Sequence, residues 1–124
     1  MATAELFQFV KGSIRSVWAL ELLLLMRANR DRNWTAEQLV TELRASTPLV
    51  LQVLQTFHQA GLVREVEPGC FEYAPASATL EVRCDELERA YRERPVTVIN
   101  AIVASTSDDL KSFADAFRFR GGGK

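Results

Sequence analysis

The chain is poor in the residues that bind metals and attack substrates. It has one histidine, His58, and two cysteines, Cys70 and Cys84, spaced 12 and 14 residues apart along the chain. That is too sparse for a structural zinc set, and a lone histidine lacks the partners a catalytic base needs. His58 is therefore read as a polar, partly exposed residue. The only glycine cluster is the terminal "GGGK", so no glycine-rich loop is present to cradle a phosphate. Two cysteines do not make a disulfide scaffold, which predicts a reduced, cytoplasmic protein. They are read as small apolar fillers, with a Cys70–Cys84 redox pair as the alternative. The longest apolar stretch, Val17 to Met26, is interrupted by Glu21 and falls well short of the ~20 residues a membrane span requires. The start, "MATAELFQFVKGS", has no basic leader, so no signal peptide is expected. These absences argue against an enzyme, a metal site, a cofactor and a membrane protein.

What is present is the composition of one globular domain: 124 residues, 48% of them hydrophobic, with a net charge of −1. The distribution of charge is more informative. Residues 1–32 carry five basic and three acidic groups, whereas residues 33–76 carry two basic and five acidic. Residues 77–124 carry eight of each.

Hydrophobic spacing predicts a long helix from Ser13 to Asn29 with Ser13 as its cap, and with Arg27 and Arg30 placed at the negative end of its dipole. Its apolar stripe is wide enough to need neighbours on more than one side. Those are expected from the terminal arms or a second subunit. "NWTAEQLVTELRAS" predicts a second helix opened by a Thr35/Gln38 capping box and buried through Leu39, Val40 and Leu43. Trp34, just before it, either pairs as a short strand or staples onto Leu39. In "ASTPLVLQVLQTFHQAGLV", Ser46 caps a third helix, Pro48 sits in its first turn, and Val50, Val53, Leu54 and Phe57 share one face. Gly61 supplies the left-handed stop. "EVEPGCFEYAP" predicts two strands turning at Pro68-Gly69. Beyond them, Leu80, Cys84 (or Arg83), Leu87 and Tyr91 mark a helix that Pro95 ends, and "VTVINAIVAS" marks another. Ser107 is then read as the cap of "DDLKSFADAFRFR", whose apolar stripe is Leu110, Phe113, Ala114 and Phe117. Glu81, Asp85, Glu86 and Glu88 interleave with Arg83, Arg89 and Arg92, the pattern of a solvated, salt-bridged face.

The run "WTAEQLVTELRASTPLVLQVLQTFHQAGLVREVEPGCFEYAP", ending in Gly61-Leu62-Val63-Arg64 and a hairpin, resembles the winged helix-turn-helix family. With helices at both ends it looks like bacterial regulators of the MarR kind. The resemblance implies a mainly α fold with a small β-hairpin wing (α+β). It divides the chain into an N-terminal arm (1–12), the winged domain (13–76), C-terminal helices for dimerisation or packing (77–120) and a flexible tail (121–124). It further implies a dimeric DNA-binding transcriptional regulator that reads duplex DNA in the major groove. Carried onto this chain, base-reading positions fall on the solvent side of the third helix at Thr47, Leu49, Leu51, Gln52 and Gln55. Phosphate contacts fall to Arg30, Arg32, Arg44, Ser46 and Arg64. Against this stands a third helix, Thr47 to Ala60, with no Lys or Arg, beside a wing bearing Glu65, Glu67 and Glu72. The alternative is a winged-helix interaction module that docks a protein through the apolar surface of that helix, without DNA binding.

Overall fold

The computed structural model describes residues 4–104. The reading of Ser107 and the amphipathic stretch after it lies outside them. In chain order the elements are α1 (Ala4–Ser13), α2 (Val17–Ala28), β1 (Trp34–Thr35), α3 (Ala36–Leu43), α4 (Thr47–Ala60), β2 (Val63–Glu67), β3 (Cys70–Tyr73) and α5 (Ala78–Glu93). A further helical stretch, α6, covers 95–104. The architecture is mainly helical, with one small antiparallel sheet ordered β1-β3-β2.

The expected helix from Ser13 is corrected. Ser13 ends α1, and Ser16 caps α2 by accepting the Ala19 N–H at 3.0 Å. The break exists because Ile14 turns fully inward, with 0% exposure. It also answers the wide apolar stripe of α2. Ala19, Leu20, Leu22, Leu23 and Met26 are buried there, and α1 joins them through Leu6, Val10 and Ile14. Within one chain most of that stripe is covered, with α1 packed on α4 and α5, while Trp18 of α2 stays 44% exposed.

The middle of the chain follows its local signals. Thr35 Oγ1 accepts the Gln38 N–H at 3.2 Å while the Gln38 side chain accepts the Thr35 N–H at 3.0 Å, closing the capping box. Trp34 takes the strand option and pairs with Phe71. Ser46 caps α4 through the Leu49 N–H at 3.3 Å. Val50, Leu54 and Phe57 are almost fully buried. Gly61 stops α4 at φ 80°, with Gly61 N–H bonded to the His58 carbonyl and Leu62 N–H to that of Phe57. The hairpin turns at Gly69, φ 79°, and β2 bulges between Glu65 and Glu67.

α5 is the polar helix of the body. Of its 16 residues only Cys84 and Leu87 are fully buried. Arg94 leaves the helical path, and α6 buries Val98 and Ile102 while Val96 and Val103 stay 67% and 51% exposed.

Candidate nucleic-acid or protein interface on helix α4

The cap at Ser46 and the stop at Gly61 fix the orientation of α4, and its buried face decides which side chains remain outside. Thr47, Leu51, Gln52 and Gln55 are exposed, as the spacing predicts, and Leu51 retains 51% of its surface. Leu49 does not belong with them. Its side chain is half-buried against the core, on a cleft shared with the α1–α2 turn. Helical spacing alone could not reveal this, because the covering turn interrupts a stretch read as one continuous helix from Ser13.

The cations assigned to phosphates are mostly engaged by the fold. Arg30 Nη2 reaches Glu81 Oε2 at 3.3 Å, and its guanidinium lies 5.0 Å from the Tyr73 ring centre. Arg32 stacks over the Trp34 ring at 3.8 Å. Arg64 is ion-paired with Glu72 across the hairpin. Ser46 spends its hydroxyl oxygen on the cap. Arg44 differs: it is exposed, forms no ion pair among the described residues, and holds a left-handed backbone at φ 56° that is unusual outside glycine. Glu37 and Glu42 on α3 and Glu65 and Glu67 on the hairpin are all exposed. No cation projects from α4 itself, so its exposed face is uncharged and the neighbouring elements make its surroundings acidic.

The largest electrostatic feature is one the sequence reading missed. Arg27, at the end of α2, is only 8% exposed. Its Nε donates to Glu88 Oε1 at 2.7 Å, Nη2 to Asp85 Oδ1 at 2.7 Å, and Nη1 to Glu81 Oε2 at 3.2 Å and to the Tyr73 hydroxyl at 2.9 Å. Tyr73 in turn donates to Glu81 Oε1 at 2.8 Å. Burial by itself would lower the pKa of the guanidinium. Hydrogen bonds and charge from Glu88 and Tyr73 outweigh that and hold it above its ordinary value. Burial pushes the Tyr73 hydroxyl up, and its hydrogen bond with Cys84 adds to this. For Glu81, burial is opposed and outweighed by the bond from Tyr73 and the charges of Arg30 and Arg27, leaving its carboxyl below the ordinary value.

This corrects the reading of α5 as a merely solvated face. Glu86 pairs with Arg83 as expected, and Arg89 and Arg92 flank Asp85 and Glu88. Yet Glu81, Asp85 and Glu88 converge on one guanidinium from another helix. The available signals were the four- and three-residue spacing of those carboxylates, which sets them on one stripe, and the position of Arg27 four residues beyond buried Leu23. Cys70 and Cys84 are both free thiols, and burial raises the pKa of Cys84, which makes it a poor nucleophile. His58 is exposed and stands edge-on to Phe71 at 6.2 Å.

Among the described residues no helix is long and apolar enough to cross a membrane. Comparison with protein-family models, with characterised proteins and with solved structures gives no match, so function is argued from the residues themselves.

Proposed function

We propose that the chain is a winged-helix interaction module that docks a protein partner through the exposed face of α4. Support for the winged-helix reading comes from the succession α2, β1, α3, α4, hairpin, with β1 closing the sheet beside β3. The observation that carries the docking reading is the commitment of Arg30, Arg32 and Arg64 to Glu81, Trp34 and Glu72. Affinity for DNA grows with the phosphates neutralised, by about 0.9 log unit of salt slope for each. Arg44, even doubled in a dimer, supports a slope of about −2, against roughly −5 to −9 for the 6–10 contacts of a strong binder. Leu51 instead offers apolar surface at the centre of an uncharged face, with Glu37, Glu42, Glu65 and Glu67 on the elements around it. That combination suits an apolar patch fringed by basic residues on a cytoplasmic protein.

The second reading, a dimeric DNA-binding regulator, is favoured by one specific observation. Arg44, Thr47, Gln52 and Gln55 are all exposed along the leading side of α4, in the order a major-groove reader would use. The test separates the two. A photo-crosslinking residue placed at position 51 and activated in the native cell should yield a protein adduct, and Leu51→Asp elsewhere should abolish binding of that partner without unfolding the chain. A nucleic-acid adduct, or a shift of duplex fragments with a steep salt dependence, would establish the regulator instead.

A further inference from the structure

We propose that the cleft between α2 and α3 is the seat of the chain's own segment Leu110–Arg120, which lies outside the described residues. The cleft has a volume of about 380 Å³ and is lined by Val17, Trp18 and Glu21 of α2 and by Glu42 and Leu43 of α3. Trp18 keeps 44% of its surface, although burying a ring of that size is strongly favourable. Val17 and Leu43 beside it are only half-buried. Glu21 and Glu42 are exposed, and no salt bridge reaches either among the described residues. The cleft thus joins apolar surface to negative charge, and an occupant that suits it brings apolar rings and cations together.

The chain carries such a sequence. Leu110–Arg120 reads "LKSFADAFRFR", with the apolar stripe Leu110, Phe113, Ala114 and Phe117 and with Arg118 and Arg120 at its end. Its charges are Lys111, Arg118 and Arg120 against Asp115 alone, opposite in sign to the cleft. Phe113 and Phe117 suit the surface of Trp18 and Leu43, and the two arginines suit Glu21 and Glu42. The path of the chain allows the return. Tyr91, in the last turns of α5, donates its hydroxyl to Glu21 at 3.2 Å, so the chain leaves α5 beside the cleft. α6 spans residues 95–104, about 15 Å of helix. The six steps from Ala104 to Leu110 reach up to about 20 Å, enough to bring Leu110 back. A segment tethered this closely acts at an effective concentration on the order of millimolar, which a separate partner must overcome. The exposed face of α4 takes no part in this contact.

NMR of the isotopically labelled full chain reads the contact through its two indole N–H signals, with Trp18 assigned by Trp18→Phe. The parent should show nuclear Overhauser contacts between the Trp18 ring and the rings of Phe113 or Phe117. Its Trp18 indole should be shielded from broadening by a neutral gadolinium chelate in solution. Phe113→Ser with Phe117→Ser should abolish the contacts and raise the broadening. Arg118→Glu with Arg120→Glu should lower the closed-to-open ratio about three- to tenfold, the range that two ion pairs at a rim supply. Adding Glu21→Arg and Glu42→Arg to that variant should restore the ratio, which a change in folding alone would not do. The proposal is overturned if Trp18 makes no contact with the segment, if its indole broadens as much in the parent as in the double serine variant, or if the exchange of charges restores nothing. It is overturned equally if isotope-filtered spectra of mixed labelled and unlabelled chains contain the contacts, since the segment would then come from a second copy.

Discussion

Replacing Arg27 with methionine tests the buried ion network directly. The substitution keeps a long, mostly apolar side chain at a position that is 8% exposed, but it removes the one guanidinium shared by Glu81, Asp85 and Glu88, leaving them, among the described residues, only the Tyr73 hydroxyl and Arg30, Arg89 and Arg92 at the rim. Breaking a buried pair from one side typically costs about 3–5 kcal/mol, because the partner charge is left uncompensated. The three carboxylates here keep 38%, 48% and 32% of their side-chain surface, so water takes over part of the lost solvation. Solvent screening brings the expected cost down to about 2–3 kcal/mol. At about 4–8 °C per kcal/mol for a small domain, the melting temperature should fall by roughly 10–20 °C at neutral pH. The residual penalty is like-charge crowding, so it should be smaller in acid than at neutral pH. It should also largely vanish when Glu81→Gln, Asp85→Asn and Glu88→Gln are added, since no uncompensated charge then remains. Paired thermal and urea melts of parent, single and quadruple variants at two pH values supply the numbers. A single variant that melts within about 2 °C of the parent would refute the reasoning. A loss that is the same at both pH values would do so as well.

The remaining expectations concern the backbone, the acid side and assembly. Gly61 and Gly69 share nearly the same φ, 80° and 79°, but a Cβ at Gly61 would stand 3.2 Å from the Ala76 Cβ while one at Gly69 meets nothing within 4 Å. Gly69→Ala should cost about 1–2 kcal/mol from the left-handed backbone alone, and Gly61→Ala measurably more; equal losses in urea melts would show that the contact relaxes freely. Arg44→Gly should stabilise by about 0.5–1 kcal/mol by relieving a left-handed arginine, and a lower melting temperature would mean that its side chain makes an unseen contribution. Glu81 has a depressed folded pKa, so its contribution is present above its ordinary value of 4.5 and is lost as pH falls through the lower folded value. Stability should therefore drop below about pH 4.5, and Glu81→Gln should flatten that acid limb; an unchanged limb contradicts the assignment. Val96 and Val103, exposed one heptad apart on α6, should seat a second copy, so sedimentation at micromolar concentration should give twice the chain mass and Val96→Asp with Val103→Asp should give the monomer.

The parts of this fold that were legible in the sequence are those written in neighbouring residues. A Thr35/Gln38 box, a Ser46 cap with Pro48 behind it, a Gly61 stop and a Pro68-Gly69 turn each act over a few positions, and all four stand where their chemistry puts them. The apolar spacing of α4 likewise identified Val50, Leu54 and Phe57 as core. The failures lie where the partner is remote. Arg27 meets Glu88 across 61 residues, and its spacing from Leu23 hints at an inward stripe without naming the carboxylates that meet it. Leu49 has the spacing of an exposed residue, but a turn more than thirty positions earlier covers it. The exposed part of the candidate site was legible as a list of side chains. Its electrostatic character was not, because the arginines around it answer to Glu81, Trp34 and Glu72 on other elements.

The sheet order places β2 at an edge, with one side of its backbone unpaired from Val63 to Glu67. Such an edge invites a foreign strand to continue the sheet. Here the invitation is withdrawn by means already present: Arg64, Glu65 and Glu67 stand exposed along it, and the bulge between Glu65 and Glu67 breaks the regular run of donors and acceptors. The protein is thereby guarded against edge-to-edge aggregation and against recognition by strand addition. What the hairpin edge presents outward is therefore side chains, and mostly negative charge.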